Sequence, residues 1–189
     1  MPAPCDGPLT VLLIAVCVLL VLSPLVARRW PARLLLHRWR WPLLVWLALA
    51  LQVVVVEVDL PAAFAPVLHV GTYLAALVFL VANRQAPGIV LVCAGAASNG
   101  VTIALNGGVL PASAGAVAAA GLDGREGFAN SAVVGDPVLP WLGDVFAWPA
   151  PLPLANTFSI GDVLIVAGVA VAAWVGTRRL ARASTGAVS

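Results

Sequence analysis

Six polar side chains in this sequence of 189 residues could form one site with chemistry of its own. They are two carboxylates, two amides, a histidine and a serine: Asp162, Asp144, Asn99, Asn106, His69 and Ser159. Carboxylates that share a proton can activate water and polarise a carbonyl group, whereas amides and hydroxyls bind ligands through hydrogen bonds. The set therefore indicates a polar binding site, or acid–base chemistry if the Asp144 and Asp162 carboxyls come together.

Helical spacing predicts that several of these side chains meet. Asn99 and Asn106 lie seven residues apart and so share one helix face. Small residues at 95–100 and at 168–176 are typical of two helices that pack closely. Contact between those helices would bring Asn99, Asn106 and Asp162 together.

Structural roles are equally open for three of the residues. Ser159 is a favoured residue at a helix N-cap, and Asp162 would then be stabilised by the positive end of the helix dipole. His69 shares a helix face with Thr72 and Tyr73, and packed helices offer a histidine many hydrogen-bond partners. The sequence alone leaves both capping or packing and ligand binding open at these positions.

Other kinds of site are not indicated. The sequence has no glycine-rich nucleotide loop and no nucleophile elbow. Its three cysteines, Cys5, Cys17 and Cys93, lack the spacing of a metal site. We therefore predict no cofactor and no metal ion. Nucleic acid is not an expected partner either, because the positions of the arginines match those that membrane topology favours.

The composition predicts an integral membrane protein. Hydrophobic residues make up 62% of the chain and charged residues 10%, and the mean hydropathy is +1.04, which is more apolar than an ordinary water-facing protein. Five apolar runs approach the roughly 20 residues that a helix needs to cross a bilayer: residues 9–27, 42–58, 65–82, 88–105 and 158–176. We predict an all-α bundle of about five transmembrane helices that forms a single membrane domain over residues 1–189.

The arginines orient this predicted bundle. The chain has no lysine, and nine of its ten arginines follow the first, third or fifth apolar run. Since basic residues accumulate in short cytoplasmic loops, the N-terminus is predicted outside and the C-terminus in the cytoplasm of a bacterial plasma membrane. Residues 106–157 are too many for an unstructured loop and would form a structured outer segment. The expected partners are the lipid bilayer and, at the polar site, a lipid, a small solute or another membrane subunit.

Three motifs resemble those of a known family. They are Asn106-Gly107-Gly108-Val109-Leu110-Pro111, Leu142-Gly143-Asp144 and Phe158-Ser159-Ile160-Gly161-Asp162. As a set, N-G-G-x-x-P, L-G-D and F-S-x-G-D resemble an uncharacterised family of small multi-pass bacterial membrane proteins, one of the domains of unknown function. The resemblance covers most of the chain. It implies a membrane location and no particular activity.

A second resemblance, confined to the last two apolar runs, is to lipoprotein signal peptidases. Residues 158–162 are similar to their F-N-x-A-D motif, which supplies one of two catalytic aspartates. Their G-N-x-x-D motif corresponds to residues 98–102, where Thr102 replaces the aspartate. The resemblance implies an aspartyl peptidase only if Asp144 supplies the second carboxylate.

Two functions follow from these observations. The leading prediction is a non-enzymatic membrane subunit or binding protein, because the polar positions of the predicted helices lie on their outward-facing side. The alternative is a divergent intramembrane aspartyl-peptidase-like enzyme. That alternative requires the Asp144 and Asp162 carboxyls to approach within about 4 to 6 Å.

Overall fold

The computed structural model describes residues 8–57, 64–122 and 131–180 of the chain. Most of them belong to five long helices: α1 (Pro8–Val26), α3 (Leu43–Glu57), α4 (Phe64–Ala82), α5 (Ile89–Leu105) and α7 (Ile160–Trp174). Between these lie two short helices and a single turn of 3-10 helix: α2 (Ala32–Leu35), α6 (Ala114–Ala119) and Pro140–Leu142. The described chain is thus mainly helical.

Within the described residues, three pairs of short strands join these helices. β1 (Arg29–Trp30) pairs antiparallel with β6 (Arg178–Arg179), β2 (Leu110–Pro111) pairs parallel with β3 (Ser131–Ala132), and β4 (Asp144–Trp148) pairs antiparallel with β5 (Asn156–Ser159). The β1–β6 ladder holds the end of α1 beside the end of α7. The β4–β5 hairpin leads directly into α7. Residues 106–157, predicted as a structured outer segment, contain β2 to β4, α6 and the start of β5.

This architecture contradicts the predicted fold class. The chain combines helices with short strands, and no helix among the described residues is both long enough and apolar enough to cross a bilayer. α3 and α7 have 15 residues each, α5 has 17, and α1 and α4 have 19. They are therefore about 22 to 28 Å long, against a hydrocarbon core of about 30 Å. The predicted all-α transmembrane bundle, its orientation and its plasma-membrane localisation are wrong on this finding.

α3, α5 and α7 are shorter than the apolar runs that contain them, and local signals that end helices explain the clearest case. In the run 158–176, Phe158 and Ser159 belong to β5, and Ser159 caps α7. The helix then ends at Trp174, two residues before Gly176, whose φ is +74°. Hydropathy registers only that these residues are apolar, whereas a capping serine and a left-handed glycine decide where a helix begins and ends.

α5 and α7 run antiparallel and approach so closely that their contact requires glycine. A Cβ at Gly95 would fall on the carbonyl oxygen of Gly161, and a Cβ at Gly161 would fall on the side chain of Asn99. Toward the other end of the helices, Gly168 faces the backbone of Gly88 in the same way. Glycine, which lacks a Cβ, is the residue that permits such an approach of two backbones.

Small side chains form much of the buried interior. Ala48, Ala96, Ala172 and Ala173 are buried, whereas large apolar side chains such as Val26, which is 91% exposed, lie on the outside. A further apolar cluster packs α6 against β4: Ala112, Val117, Ala120, Leu122 and Ala147. The interior therefore depends on close backbone contact more than on large interlocking side chains.

Asn83 fastens the end of α4 to the start of α3. Its buried side chain accepts a hydrogen bond from the Arg40 N–H at 2.8 Å and donates to the carbonyl oxygens of Arg40 at 3.0 Å and Phe79 at 2.8 Å. An asparagine amide offers both an acceptor and two donors, so one side chain satisfies three backbone groups here. The arginine-rich segment before α3 is thereby held against α4.

Gly161→Ala is expected to destabilise the protein, because the added methyl group overlaps Asn99 Oδ1 and the Gly95 carbonyl. Overpacking of this kind lowers the free energy of unfolding by about 1–3 kcal/mol. Gly71→Ala is the matched control, since Gly71 also lies inside a long helix and a Cβ there meets nothing within 4 Å. Alanine at position 71 is expected to raise the free energy of unfolding by about 0.5–1 kcal/mol. Urea unfolding measures the free energy of unfolding of both variants. Equal changes in the two variants would contradict the close contact between α5 and α7 at Gly161.

Candidate functional site

The candidate site begins where β5 ends and α7 starts. Ser159 is the N-cap of α7: its backbone is extended (φ −102°, ψ 168°), and its hydroxyl accepts a hydrogen bond from the Asp162 N–H at 3.1 Å. In return, Asp162 Oδ2 accepts the Ser159 N–H at 2.9 Å. This capping box satisfies two backbone donors that a helix start leaves unpaired. It also places the Asp162 carboxylate at the positive end of the helix dipole.

Asn99 of α5 completes a network that we call the carboxylate cluster (Asn99, Ser159 and Asp162). Asn99 Nδ2 donates to Asp162 Oδ1 at 3.0 Å. Ser159 Oγ lies 2.9 Å from Asn99 Oδ1 and 2.8 Å from Asp162 Oδ2, and its single proton serves one of these acceptors at a time. Each of the three residues is at most 7% exposed. The carboxylate cluster is therefore buried at the α5–α7 contact.

The Asp162 carboxylate is stabilised by neutral groups. Its hydrogen bonds come from the Asn99 amide and from the hydroxyl and N–H of Ser159. Within the described residues, no arginine or histidine forms an ion pair with it. A carboxylate is costly to desolvate, so one inside a protein usually has a cationic partner or several hydrogen bonds. The carboxylate cluster thus presents a negative charge that a cationic ligand would neutralise.

Asp144 is buried beside the cluster, at the first position of β4. It lies opposite Ser159 in the β4–β5 ladder, and its Oδ2 accepts a hydrogen bond from the Thr157 hydroxyl at 3.2 Å. Its carbonyl oxygen accepts the N–H of Ser113, the N-cap of α6, at 3.0 Å. Both predicted aspartates therefore lie near Ser159, where they hydrogen-bond to different side chains.

Tyr73 of α4 lies within the electrostatic field of both carboxylates. Burial raises the pKa of its phenol, and the negative charges of Asp162 and then Asp144 raise this pKa further. Its ring packs against Gly100, where a Cβ would come within 3.2 Å of the ring. The phenol is therefore protonated at neutral pH and offers its O–H as a hydrogen-bond donor.

His69 lies one helical turn before Tyr73, and the two ring centroids are 5.6 Å apart. Its Nδ1 is 3.0 Å from the Gly108 carbonyl oxygen, which can only accept, so Nδ1 carries the proton. Nε2 is buried and has no hydrogen-bond partner among the described residues. Burial lowers the pKa of the imidazole, and the bond to Gly108 offsets this only in part. His69 is thus a neutral side chain that fastens α4 to the turn after α5.

Asn106 does not join the carboxylate cluster. Its amide forms a two-way pair with the backbone of Val138: Nδ2 donates to the carbonyl oxygen at 2.9 Å, and Oδ1 accepts the N–H at 2.8 Å. Nδ2 also donates to the Thr102 carbonyl oxygen at 2.7 Å. Asn106 therefore fastens the segment before the Pro140–Leu142 turn to the end of α5.

A cavity of about 480 Å³ lies beside the carboxylate cluster. Its wall consists mostly of aliphatic side chains from α1, α3, α4 and α5, and its polar part is supplied by Thr72, Tyr73, Asn99 and Asp162. An apolar wall with a few fixed polar groups, at this volume, is typical of a small-molecule site. The cavity and the carboxylate cluster together form the candidate site.

Sequence reasoning missed two buried residues beside the site. Thr157 donates to Asp144, and Asn156 Oδ1 accepts the Thr157 N–H at 2.8 Å. Both are at most 1% exposed. They belong to the segment 106–157, which was predicted as a structured outer segment without any of its polar residues near Thr157 being assigned a role. Their position directly before the F-S-x-G-D motif was the available signal.

Hydrogen bonding and charge are the chemistry that the side chains of the candidate site offer. Across residues 8–57, 64–122 and 131–180, no group of three or more His, Cys, Asp and Glu side chains is arranged to hold a metal ion. Cys17 and Cys93 are free thiols, and burial raises the pKa of Cys17. Cys5 lies outside the described residues.

Ser159→Ala is expected to destabilise the protein more than Ser113→Ala. Both serines cap helices, and among the described residues the hydroxyl of Ser113 accepts a hydrogen bond from the Ala116 N–H alone, at 3.2 Å. Loss of that cap lowers the free energy of unfolding by about 1 kcal/mol. Loss of Ser159 also removes a donor from the buried acceptors of Asn99 and Asp162, so its effect is expected to reach about 2–4 kcal/mol. Chemical denaturation measures the free energy of unfolding of both variants. A similar decrease in the two would show that the hydrogen bonds of Ser159 to Asn99 and Asp162 contribute no stability beyond that of the helix cap.

The titration of Tyr73, the single tyrosine of the chain, reports on the carboxylate cluster. The pKa of the Tyr73 phenol is higher in the folded protein than its unfolded value of about 10. The stability that this phenol contributes is therefore fully present below about pH 10, and it is lost as the pH rises toward the folded-state pKa. Tyrosinate absorbance is expected to appear at higher pH in the folded protein than in denaturant. Tyr73→Phe is expected to lessen the alkaline loss of stability. Coincident folded and denatured titrations would contradict the burial of the phenol.

Among known proteins, none of curated function and no solved structure matches the chain. A family model does match: residues 36–174 fit the model described as a family of unknown function, DUF5317. This range contains the carboxylate cluster, Asp144 and His69, and it covers well over half of the chain. It confirms the predicted membership of an uncharacterised family, without bearing on the motifs or the membrane location that the resemblance implied. The chain therefore belongs to DUF5317, a family of unknown function.

Proposed function

We propose that the chain is a non-enzymatic binding protein for a small molecule with an apolar body and a positively charged head that donates hydrogen bonds. The observation that carries this proposal is the cavity of about 480 Å³ whose aliphatic wall adjoins Asp162. The wall would bury hydrocarbon at about 25 cal/mol per Å² of apolar surface removed from water. The carboxylate would bind the head and fix its orientation.

An amine is the head group that the polar part of the cavity favours. Asp162 has only neutral hydrogen-bond partners among the described residues, so its charge has no counter-ion there. A hydrogen bond from an ammonium group to a carboxylate contributes about 1.5–3 kcal/mol, more than a bond between neutral groups. The Tyr73 ring also lines the cavity, and an aromatic face attracts cations.

The aspartyl-peptidase alternative gains no support from the hydrogen bonds at the site. A catalytic dyad requires two carboxylates that share one proton. Both oxygens of Asp162 accept hydrogen bonds from Asn99 or Ser159, and Asp144 Oδ2 accepts one from Thr157. These bonds connect α5 to α7 and β4 to β5, which suits a fixed binding wall. The peptidase activity therefore stays a prediction from the sequence.

Binding of decylamine, 1-decanol and decanoate tests the proposal, because the three share a ten-carbon body and differ in the charge of the head. Isothermal titration calorimetry on the full chain is expected to rank decylamine first and decanoate last. Asp162→Asn is expected to weaken decylamine binding about tenfold or more, which corresponds to about 1.4 kcal/mol, and to change decanol binding less than about twofold. Equal affinity for all three heads would contradict a role for Asp162.

A matched pair of substitutions on α3 tests the cavity itself. Ala48 is buried and lines the cavity, whereas Ala50 lies two residues further along the helix and is exposed. Ala48→Phe is expected to fill the space and weaken binding of all three probes about tenfold, with Ala50→Phe leaving it unchanged. Thermal unfolding of both variants shows that the fold is retained. Unchanged binding by a folded Ala48→Phe variant would place the ligand elsewhere.

A further inference from the structure

A second concentration of charge lies at the opposite end of the helices. Asp162 lies in the first turn of α7. The arginines of the described residues lie instead near the end of α1, the start of α3, the end of α4 and the end of α7, at positions 28–40, 84 and 178–179. Within the described residues, none of these arginines forms an ion pair with a carboxylate. Among residues 8–57, 64–122 and 131–180, no carboxylate therefore neutralises the positive charge at this end.

The β1–β6 ladder adds like-charge contact at this end. Arg29 and Arg179 are direct partners across the two strands, and Arg178, the preceding residue of β6, pairs with Trp30. Like charges that face each other across a strand pair are destabilising. An anion bound nearby would relieve this repulsion, whereas the described side chains supply no such group.

The ladder borders a cleft of about 600 Å³ whose polar lining is Arg33, His37, Arg38, Thr177 and Arg178. The cleft is a built feature of the fold, because its walls come from two distant parts of the chain, residues 32–38 and residues 176–178.

Two contacts hold polar groups of this cleft in place. The carbon chain of Arg33 packs across Gly176, whose φ of +74° and missing Cβ make room for it. Thr177 Oγ1 accepts a hydrogen bond from Arg29 Nε at 2.7 Å, so the Thr177 hydroxyl proton is left to donate. A guanidinium and a hydroxyl donor are therefore positioned in the cleft.

We propose that this cleft binds a phosphoryl group, either free or on a small molecule or lipid headgroup. A guanidinium presents parallel N–H donors that match two oxygens of a phosphate, and the cleft carries three of them beside a hydroxyl donor. Its volume accommodates a group as large as pyrophosphate. This cleft is separate from the candidate site, whose Asp162 lies at the other end of α7.

Inorganic pyrophosphate is the first probe, measured by calorimetry on the full chain at low and at moderate salt. Binding is expected, and it is expected to weaken with added salt because surface charges are screened. Arg38→Gln and Arg178→Gln are each expected to weaken binding about tenfold. Arg33→Lys retains the positive charge but lacks the parallel N–H donors of a guanidinium, and it is expected to weaken pyrophosphate binding about fivefold.

Arg84→Gln is the matched control, since it removes the same charge from the same end of the protein and Arg84 does not line the cleft. It is expected to change pyrophosphate binding less than about twofold. Equal losses in Arg84→Gln and Arg178→Gln would show that net charge alone attracts the anion, which overturns the proposal. Thermal unfolding confirms that each variant is folded.

A second experiment, with lipid vesicles, distinguishes a phosphoryl group on a lipid headgroup from one on a free phosphate compound. Co-sedimentation compares phosphatidylcholine vesicles with and without phosphatidate, for the unaltered chain and for Arg178→Gln. Phosphatidate-dependent binding that Arg178→Gln abolishes identifies a lipid headgroup, and pyrophosphate binding without it identifies a free phosphate compound. Absence of binding in both arms overturns the proposal.

Discussion

Backbone contact between α5 and α7 is the constraint on which the rest of the structure depends. Gly95 and Gly161 bring the two helices so close that the Asn99 amide reaches the carboxylate of Asp162 across the contact. The same approach positions Ser159, which caps α7 and shares its hydroxyl between the two neighbours. Packing and polar chemistry are therefore not separable here, since the glycine contact brings together Asn99 and Asp162, and both of these side chains line the cavity.

Much of this contact could be predicted from the sequence, because it depends on local spacing. The small residues of α5 and α7 predicted that the helices touch, and the pairing of Asn99 with Asp162 follows from it. Ser159 followed by Asp162 is a capping signal that needs no tertiary information. The apolar runs likewise located the long helices to within a few residues. Membership of an uncharacterised family was also correctly predicted.

The remainder depended on features that hydropathy does not encode. The fold class was wrong because short strands join the helices, and because α3, α5 and α7 are shorter than the apolar runs that contain them. Asn106 was expected at the site, yet its amide pairs with Val138, a partner that only the path of the later chain determines. The buried Asn156 and Thr157 escaped notice because two polar residues in a sequence look the same whether they are buried in a strand or exposed to solvent.

The charge at the start of α7 has the sign that the helix dipole favours. The carboxylate of Asp162 lies in the first turn, and the last turn holds no basic residue. A negative group in the first turn of a helix stabilises it by about 0.3–1 kcal/mol. The carboxylate that we propose as the partner of a cationic ligand therefore also stabilises the helix on which it lies.

The β1–β6 ladder also bears on how the chain reaches its folded state. Arg29 pairs with Arg179, 150 positions later, so this ladder is among the most non-local contacts that the sequence permits. During synthesis from the N-terminus, β1 lacks its β6 partner until residue 179 has emerged. Local helical contacts form early, whereas closure of so long a loop is entropically expensive and late. The cleft lined by Arg33, Arg38 and Arg178 has its two walls on the segments beside this ladder, so it forms only after residue 179 has been synthesised and the ladder has closed.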